Sequence, residues 1–371
     1  MEDTFNKPKK LGNIYRYIYH EQQCSRQEIS HALGISLPTT THNLNILQSA
    51  GLIYNAGEFE STGGRKPAMF QCVPDARFAI GIDITRNHLS LVLIDLNLTI
   101  IDSIRIRLSF TQSDEYFSIL HDKLESIISK NIVDRTKLLG VGISLPVIVG
   151  EDHKTVTYAT VIPLSLNIYQ IMEQYIQEPF LFFNDSNSAG LAESWKGGYI
   201  DPVVYLSLSS SVGGAHMNEK TIYDGANNRG CEFGHMTIVP FGKRCYCGSY
   251  GCLDAYCNAN ILADFTDGNL KDFFELLSSK KNKGIQKIFD EYTDYLAIAV
   301  HNLRMCYDCD IILGGNVGAY MSDYIDSFRE KTLKLNPFEN DGNYIRVCHY
   351  KTSAAAVGAA IYYIDRFIQE L

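Results

Sequence analysis

The sequence predicts a duplicated α/β fold with a cleft between its halves, preceded by a small winged helix-turn-helix head. Three observations carry this. A strand–helix order runs twice through the chain after residue 78, and helical periodicity fills the first fifty residues. One His and three Cys crowd into the 18 residues from His235 to Cys252.

Composition bounds the answer first. A chain of 371 residues has room for two or three domains, each with its own core. With 46% apolar and 20% charged residues it has the make-up of a soluble globular protein. No apolar run approaches the roughly 18 residues of a membrane helix. The polar, mixed-charge start, Met1 to Lys10, is unlike a secretory signal, so a cytoplasmic location and ten reduced cysteines are expected. The formal charge of −9 is uneven: residues 1–70 carry seven Lys/Arg and six Asp/Glu, so the acidic excess lies beyond them. Any contact with nucleic acid must come from that nearly neutral head.

In the head, Leu11, Ile14, Ile18 and Tyr19 recur at helical spacing. Ser25 with Glu28 forms a capping box that opens a second helix, with Ile29, Ala32 and Leu33 on its buried face and Gly34 ending it. Ser36 caps a third helix with Pro38 in its first turn; Thr40, Leu44 and Leu47 face inward. A two-stranded wing follows, from residues 52–54 and 68–72, around the Gly-rich loop 57–67. In a winged helix-turn-helix the third helix enters the major groove, where Thr39, Thr41, His42 and Asn45 offer donors and acceptors to base edges. Arg65 and Lys66 on the loop suit phosphates or a minor groove. A three-helix unit can instead dock protein, but the wing favours double-stranded DNA. Residues 1–72 form the head and 73–77 the linker.

Three strands (78–84, 88–95, 98–108) open the body. A helix (about 114–130), a strand (138–145), a helix (about 165–177), a strand (179–183) and a helix (about 186–197) complete one pass. Strands at 203–208, 213–217 and 220–223 restart the order, which ends with a strand at 310–313 and a helix at 354–368. Two such passes, 78–198 and 199–371, enclose a cleft, with the last helix a candidate to pack back on the first half.

His235, Cys245, Cys247 and Cys252, spaced H-x9-C-x-C-x4-C, supply the four ligands of a closed tetrahedral zinc site. With no open position for a bound water, such a zinc shapes a loop and performs no chemistry. Cys306 and Cys309 form a CxxC with no matching pair nearby, and are expected to be structural.

Together, Glu232-Phe-Gly-His235 with its cysteines, Phe183-Asn184-Asp185 and Leu313-Gly314-Gly315 resemble the ROK family of repressors and sugar kinases, in particular its repressor branch, which includes the xylose and N-acetylglucosamine repressors. The resemblance implies an actin-like, hexokinase-type fold. It also implies that Asn184, Asp185, Glu232, His235 and Asp254 grip a sugar, with Asp185 in the place of the kinases' base. Carboxylates and an amide form paired hydrogen bonds to vicinal hydroxyls, and the imidazole nitrogen left over by zinc can donate to the ligand.

Departures from the kinase pattern weigh against catalysis. The first phosphate loop reads Asp83-Ile-Thr85-Arg86-Asn87-His88 and the second Ser209-Ser-Ser211-Val-Gly213-Gly214-Ala215. Both lose glycines that let backbone N–H groups approach a phosphate. On the sugar side, the family's glycine after Pro146 is Val147, the glycine before the metal-site Glu is Cys231, and the final Glu is Asp254. The expectation is a sugar-responsive repressor, a homodimer or homotetramer on operator DNA. The alternatives are a sugar kinase with residual ATP-dependent activity based on Asp185, and a zinc-stabilised scaffold.

Overall fold

The computed structural model describes residues 7–58, 68–159, 161–165, 167–197, 202–218 and 221–371. The head contains helices α1 (Lys7–Glu21), α2 (Arg26–Ala32) and α3 (Leu37–Ser49) with strands β1 (Cys24–Ser25), β2 (Ile53–Glu58) and β3 (Ala68–Cys72). The capping box is present: Ser25 Oγ accepts from Glu28 N, and the Glu28 carboxylate accepts from Ser25 N at 2.7 Å. Ser36 Oγ accepts from Thr39 N at 3.3 Å and starts α3. Ile14, Tyr15, Ile18, Ile29, Leu44 and Leu47 are buried together. Ala32, expected on the buried face, is exposed, because α2 is only two turns long and sends Ile29 alone fully inside. The wing has three strands instead of two, ordered β1-β3-β2, since Cys24 and Ser25 pair with Phe70 and Met69.

The connection is packed. Pro74–Ala76 forms one 3-10 turn, Val73 N donates to Leu52 O at 2.9 Å, and Leu96 N donates to Pro74 O at 3.0 Å. Head and body share one core, in which Ile14, Ile18 and Leu47 belong with Val92, Ile94, Ala360 and Ile364.

The first half of the body contains β4 (Phe78–Ile84), β5 (His88–Asp95), β6 (Ile100–Arg107), α4 (Asp114–Asn131), β7 (Leu138–Leu145), β8 (Val147–Val149), β9 (Val156–Ala159), α5 (Ile168–Met172), β10 (Phe180–Asn184) and α6 (Asp185–Gly197). The expected helix at 165–177 shrinks to α5 and a few turns, yet Ile168, Met172 and Ile176 still point inward at helical spacing. The second half contains β11 (Val203–Leu208), β12 (Val212–Asn218), β13 (Thr221–Ile222), α7 (Asp254–Cys257), α8 (Asn260–Ala263), α9 (Leu270–Ser278), α10 (Lys283–Tyr307), β14 (Asp310–Gly314), α11 (Gly315–Gly318), α12 (Ile325–Leu333), β15 (Ile345–Val347) and α13 (Ala354–Glu370).

The duplication is plain in the sheets. One runs β6-β5-β4-β7-β10 and the other β13-β12-β11-β14-β15, so both have strand order 3-2-1-4-5. In each, the first three strands are antiparallel and the last two join in parallel. Among the described residues no helix is long and apolar enough to cross a membrane.

The last helix crosses to the first half. α13 lies on β4 and β7 and beside α6, and glycines make the contact possible. A Cβ at Gly81 would sit 1.7 Å from Ala356 O, one at Gly142 2.0 Å from Ala359 O, and one at Gly358 1.7 Å from Ser188 O. Backbone therefore meets backbone, and no side chain can yield. Gly81→Ala or Gly358→Ala should each cost about 3 kcal/mol or more, read as a lower urea midpoint than wild type.

Candidate ligand cleft and metal centre

A cavity of about 1020 Å³ lies between the halves. Its floor is the junction of β10 and α6, where a parallel strand ends and a helix begins, the usual place for a ligand in an α/β sheet. Asn184 ends the strand: its Nδ2 donates to Val147 O at 3.0 Å, and its Oδ1 accepts from Asn187 N at 3.0 Å. Its amide thus ties the strand end to the first turn of α6. Asp185 opens the helix, its Oδ1 accepting from Ser186 N at 2.8 Å. Burial, then the neighbouring Asp83 charge, push its carboxyl up to about 7. Asp83 is itself pushed up to about 6 by burial and accepts from Ser144 Oγ at 3.3 Å.

The facing wall comes from the second half. Glu232 precedes the 3-10 turn Phe233–His235, and burial raises its carboxyl against the opposing pull of His235 and Arg229. Cys231, where the family has glycine, holds φ +62°, a left-handed conformation that favours glycine. Its side chain is buried, so packing holds a strained backbone next to Glu232.

Behind this wall lies a cluster of four side chains that could hold a metal ion. The ligand atoms of His235, Cys245, Cys247 and Cys252 lie within 4.8 Å of one another. His235 Nδ1 is 3.8 Å from Cys245 Sγ, and Cys247 Sγ is 3.8 Å from Cys252 Sγ. Ligand sulfurs at about 2.3 Å from a tetrahedral zinc stand about 3.8 Å apart, so the set fits that ion. Gly248 and Gly251, at φ +93° and +78°, turn the loop, and a Cβ on Gly251 would sit 1.8 Å from Val239 O. His235 Nε2 lies 3.4 Å from the Tyr246 hydroxyl, and both residues line the cleft. No cysteine among the described residues is in a disulfide.

Asp254 stands apart from the other residues expected to grip a sugar. Asp254 does not line the cleft; it is 3% exposed, and its Oδ2 accepts from Val212 N at 2.6 Å while Oδ1 accepts from Asn258 Nδ2 at 3.2 Å. A side chain one methylene short of Glu is spent on the backbone of β12. Sequence reasoning also missed cleft residues. His153 stacks near Phe183 and Tyr362 at 4.8 and 5.4 Å, and Asp224 accepts from Asn187 Nδ2 at 3.2 Å. Neither carried a motif, because each is placed by tertiary packing.

Residues 85–88 form the turn between β4 and β5, and residues 209–211 lead from β11 into β12. Thr85 N donates to His88 O at 3.0 Å, and His88 N donates back to Thr85 Oγ1 at 3.1 Å. The surviving Gly213 and Gly214 serve packing: added Cβ atoms would lie 2.1 Å from Ser186 Oγ and 2.2 Å from the Phe233 ring.

On the head, α3 exposes His42 and Asn45, whereas Thr39 and Thr41 are half-buried. The Thr39 hydroxyl lies 2.8 Å from Ser36 Oγ; that of Thr41 donates to Leu37 O and accepts from Arg26 at 3.2 Å. Arg26 thereby joins this face, unforeseen from sequence. Arg65 and Lys66 lie outside the described residues.

Residues 79–366 match the ROK family, and residues 9–54 match a winged helix-turn-helix DNA-binding family. The xylose repressor of Bacillus spizizenii is 26% identical over 70% of this chain and 68% of its own length. The transcriptional dual regulator NagC of Escherichia coli is 23% identical over 65% of this chain and 60% of its own. Among solved structures, a ROK family transcriptional regulator described as a homologue of the E. coli MLC protein superposes with TM-score 0.72 at 19% identity, covering 97% of this chain and 96% of that one. A ROK family glucokinase from Streptomyces griseus, in complex with glucose and AMPPNP, superposes with TM-score 0.62 at 21% identity, over 77% of this chain and 98% of its own. These structures share the actin-like fold seen here.

The raised Asp185 carboxyl has a pH signature. A carboxyl held above its unfolded value stabilises the fold only while protonated, so ligand-free stability should fall as pH rises from about 4 through about 7. Asp185→Asn should melt higher than wild type at pH 8, and the difference should shrink at pH 5.

Proposed function

The chain belongs to the ROK family, and from that premise we propose that it is a sugar-responsive, DNA-binding transcriptional repressor. One observation carries the reading. A winged head is packed onto a body whose cleft is lined by Asn184, Asp185, Glu232 and His235. In this reading the two segments expected to hold phosphate, poorer in glycine than a phosphate loop needs, leave phosphoryl transfer without its positioning, and the cleft binds.

In this reading Asn184, Asp185, Glu232 and His235 hold the hydroxyls of a sugar. Asp254 acts indirectly by anchoring β12. A structural zinc on His235, Cys245, Cys247 and Cys252 keeps the Glu232 wall in place. A cytoplasmic homodimer or homotetramer presents two α3 helices to half-sites of an operator. Sugar shifts the balance toward a closed cleft with lower DNA affinity, by differential binding to two states. The alternative, a sugar kinase with residual activity, uses Asp185 as base toward a hydroxyl.

Coupled assays with ATP and a hexose panel separate the two; turnover lost in Asp185→Asn would sink the regulator reading. His42→Ala and Asn45→Ala should each weaken binding to DNA from the gene's own upstream region by about 1–3 kcal/mol in footprinting titrations, with melting unchanged. Cys247→Ser should take zinc from one per chain to near none in elemental analysis and abolish sugar-dependent DNA release, while Cys306→Ser keeps both.

A further inference from the structure

The cleft is longer than its sugar-binding residues require. Small-molecule clefts run from about 300 to 1,000 Å³, and this one, at about 1020 Å³, stands at the top of that range. Gly358, Ile361, Tyr362, Asp365, Ile368 and Gln369 of α13 all line it. They form one face of the helix, and at 1.5 Å per residue they make a wall about 16 Å long. That is more than a single pyranose ring spans. Asn184, Asp185, Glu232 and His235 occupy only the inner end.

At the outer end the wall is continued by the head. Arg16, Tyr19 and His20 of α1, spaced i, i+3 and i+4, line the same cavity. The approach is fixed by Gly12, whose added Cβ would lie 3.2 Å from Ile368 O and 3.3 Å from the Leu371 carbonyl carbon. Arg16 Nε is buried there without a hydrogen-bond partner, a cost that an acceptor or a shift of α1 removes. The chemistry of this end is mixed. A guanidinium, an imidazole, a carboxylate and an amide stand beside the Tyr19 and Tyr362 rings, with no single sign of charge. Aromatic faces with interspersed donors and acceptors suit a neutral, polyhydroxylated ring.

We propose that this outer end is a second sugar subsite walled by α1, so that the effector is an oligosaccharide of at least two rings. The inner ring meets Asp185 and Glu232, and the next meets Arg16, Tyr19 and Gln369. The proposal rests on the sugar-responsive reading above and adds to it the class of effector. It also supplies the route of the signal. α1 shares a core with α3 through Ile14, Ile18, Leu44 and Leu47, so the second ring touches the head itself.

The test uses the full chain and its one tryptophan, Trp195, which lines the cleft and reports binding by fluorescence. Glucose, xylose and N-acetylglucosamine are titrated beside their α-1,4 and β-1,4 di- and trisaccharides. At least one disaccharide should bind tenfold or more tightly than its own monosaccharide and release DNA where the monosaccharide does not. Arg16→Ala and the exposed-site variant Gln369→Ala should each erase most of that gain and leave monosaccharide affinity within twofold. Oligosaccharides that bind no tighter than their monosaccharides, or a gain that survives both variants, would overturn the second subsite alone. No binding by any saccharide would overturn both this proposal and the sugar-responsive reading.

Discussion

Everything in this molecule hangs on the approach of α13 to the first half of the body. Its backbone lies directly on the backbones of β4 and β7 and against that of α6, at Gly81, Gly142 and Gly358. Because one partner at each contact is a glycine, the helix comes closer than any side chain there would allow. That position sets the height of the cleft floor at the start of α6, lays one helix face along the cavity, and ends where α1 crosses at Gly12. Glycine is unfavourable inside a strand or helix for entropic reasons. Its use at all three places reflects how much depends on the fit.

Around that frame, the cleft gathers charge that water would otherwise solvate. Asp83, Asp185 and Glu232 all have carboxyls raised by burial, and the Asp83 charge raises Asp185 further. Groups of this kind are satisfied by a guest that brings hydrogen-bond donors. Cys231, strained at φ +62°, shows that the wall holds its shape against its own backbone preference.

Much of this was legible in the sequence because it is local. Period-2 and period-3.6 patterns located the long strands and helices but not the short β8, β9 and β15 or the helices α7, α8, α9, α11 and α12, and the H-x9-C-x-C-x4-C spacing brought out four side chains that the fold gathers. What failed depends on tertiary contact. The third wing strand is two residues, Cys24 and Ser25, too short to have a period. Asp254, expected beside the sugar, is buried and accepts from the Val212 N–H, a partner far from it in sequence. The helix at 165–177 had the right inward residues but breaks after Met172. His153, Asp224 and the α1 face reach the cleft from segments distant in sequence, and nothing in their neighbours announces it.

The packed connection at Pro74–Ala76 and the core shared by Ile18, Val92 and Ile364 bear on protein engineering. Winged heads are commonly thought of as interchangeable cartridges, to be exchanged between regulators so that one protein's trigger drives another's promoter. Here a cut at the connection would lay bare the inner face of α1 and the end of α13 together. A working chimera would have to transplant the C-terminal helix along with the N-terminal head, so the smallest portable unit is discontinuous in the gene.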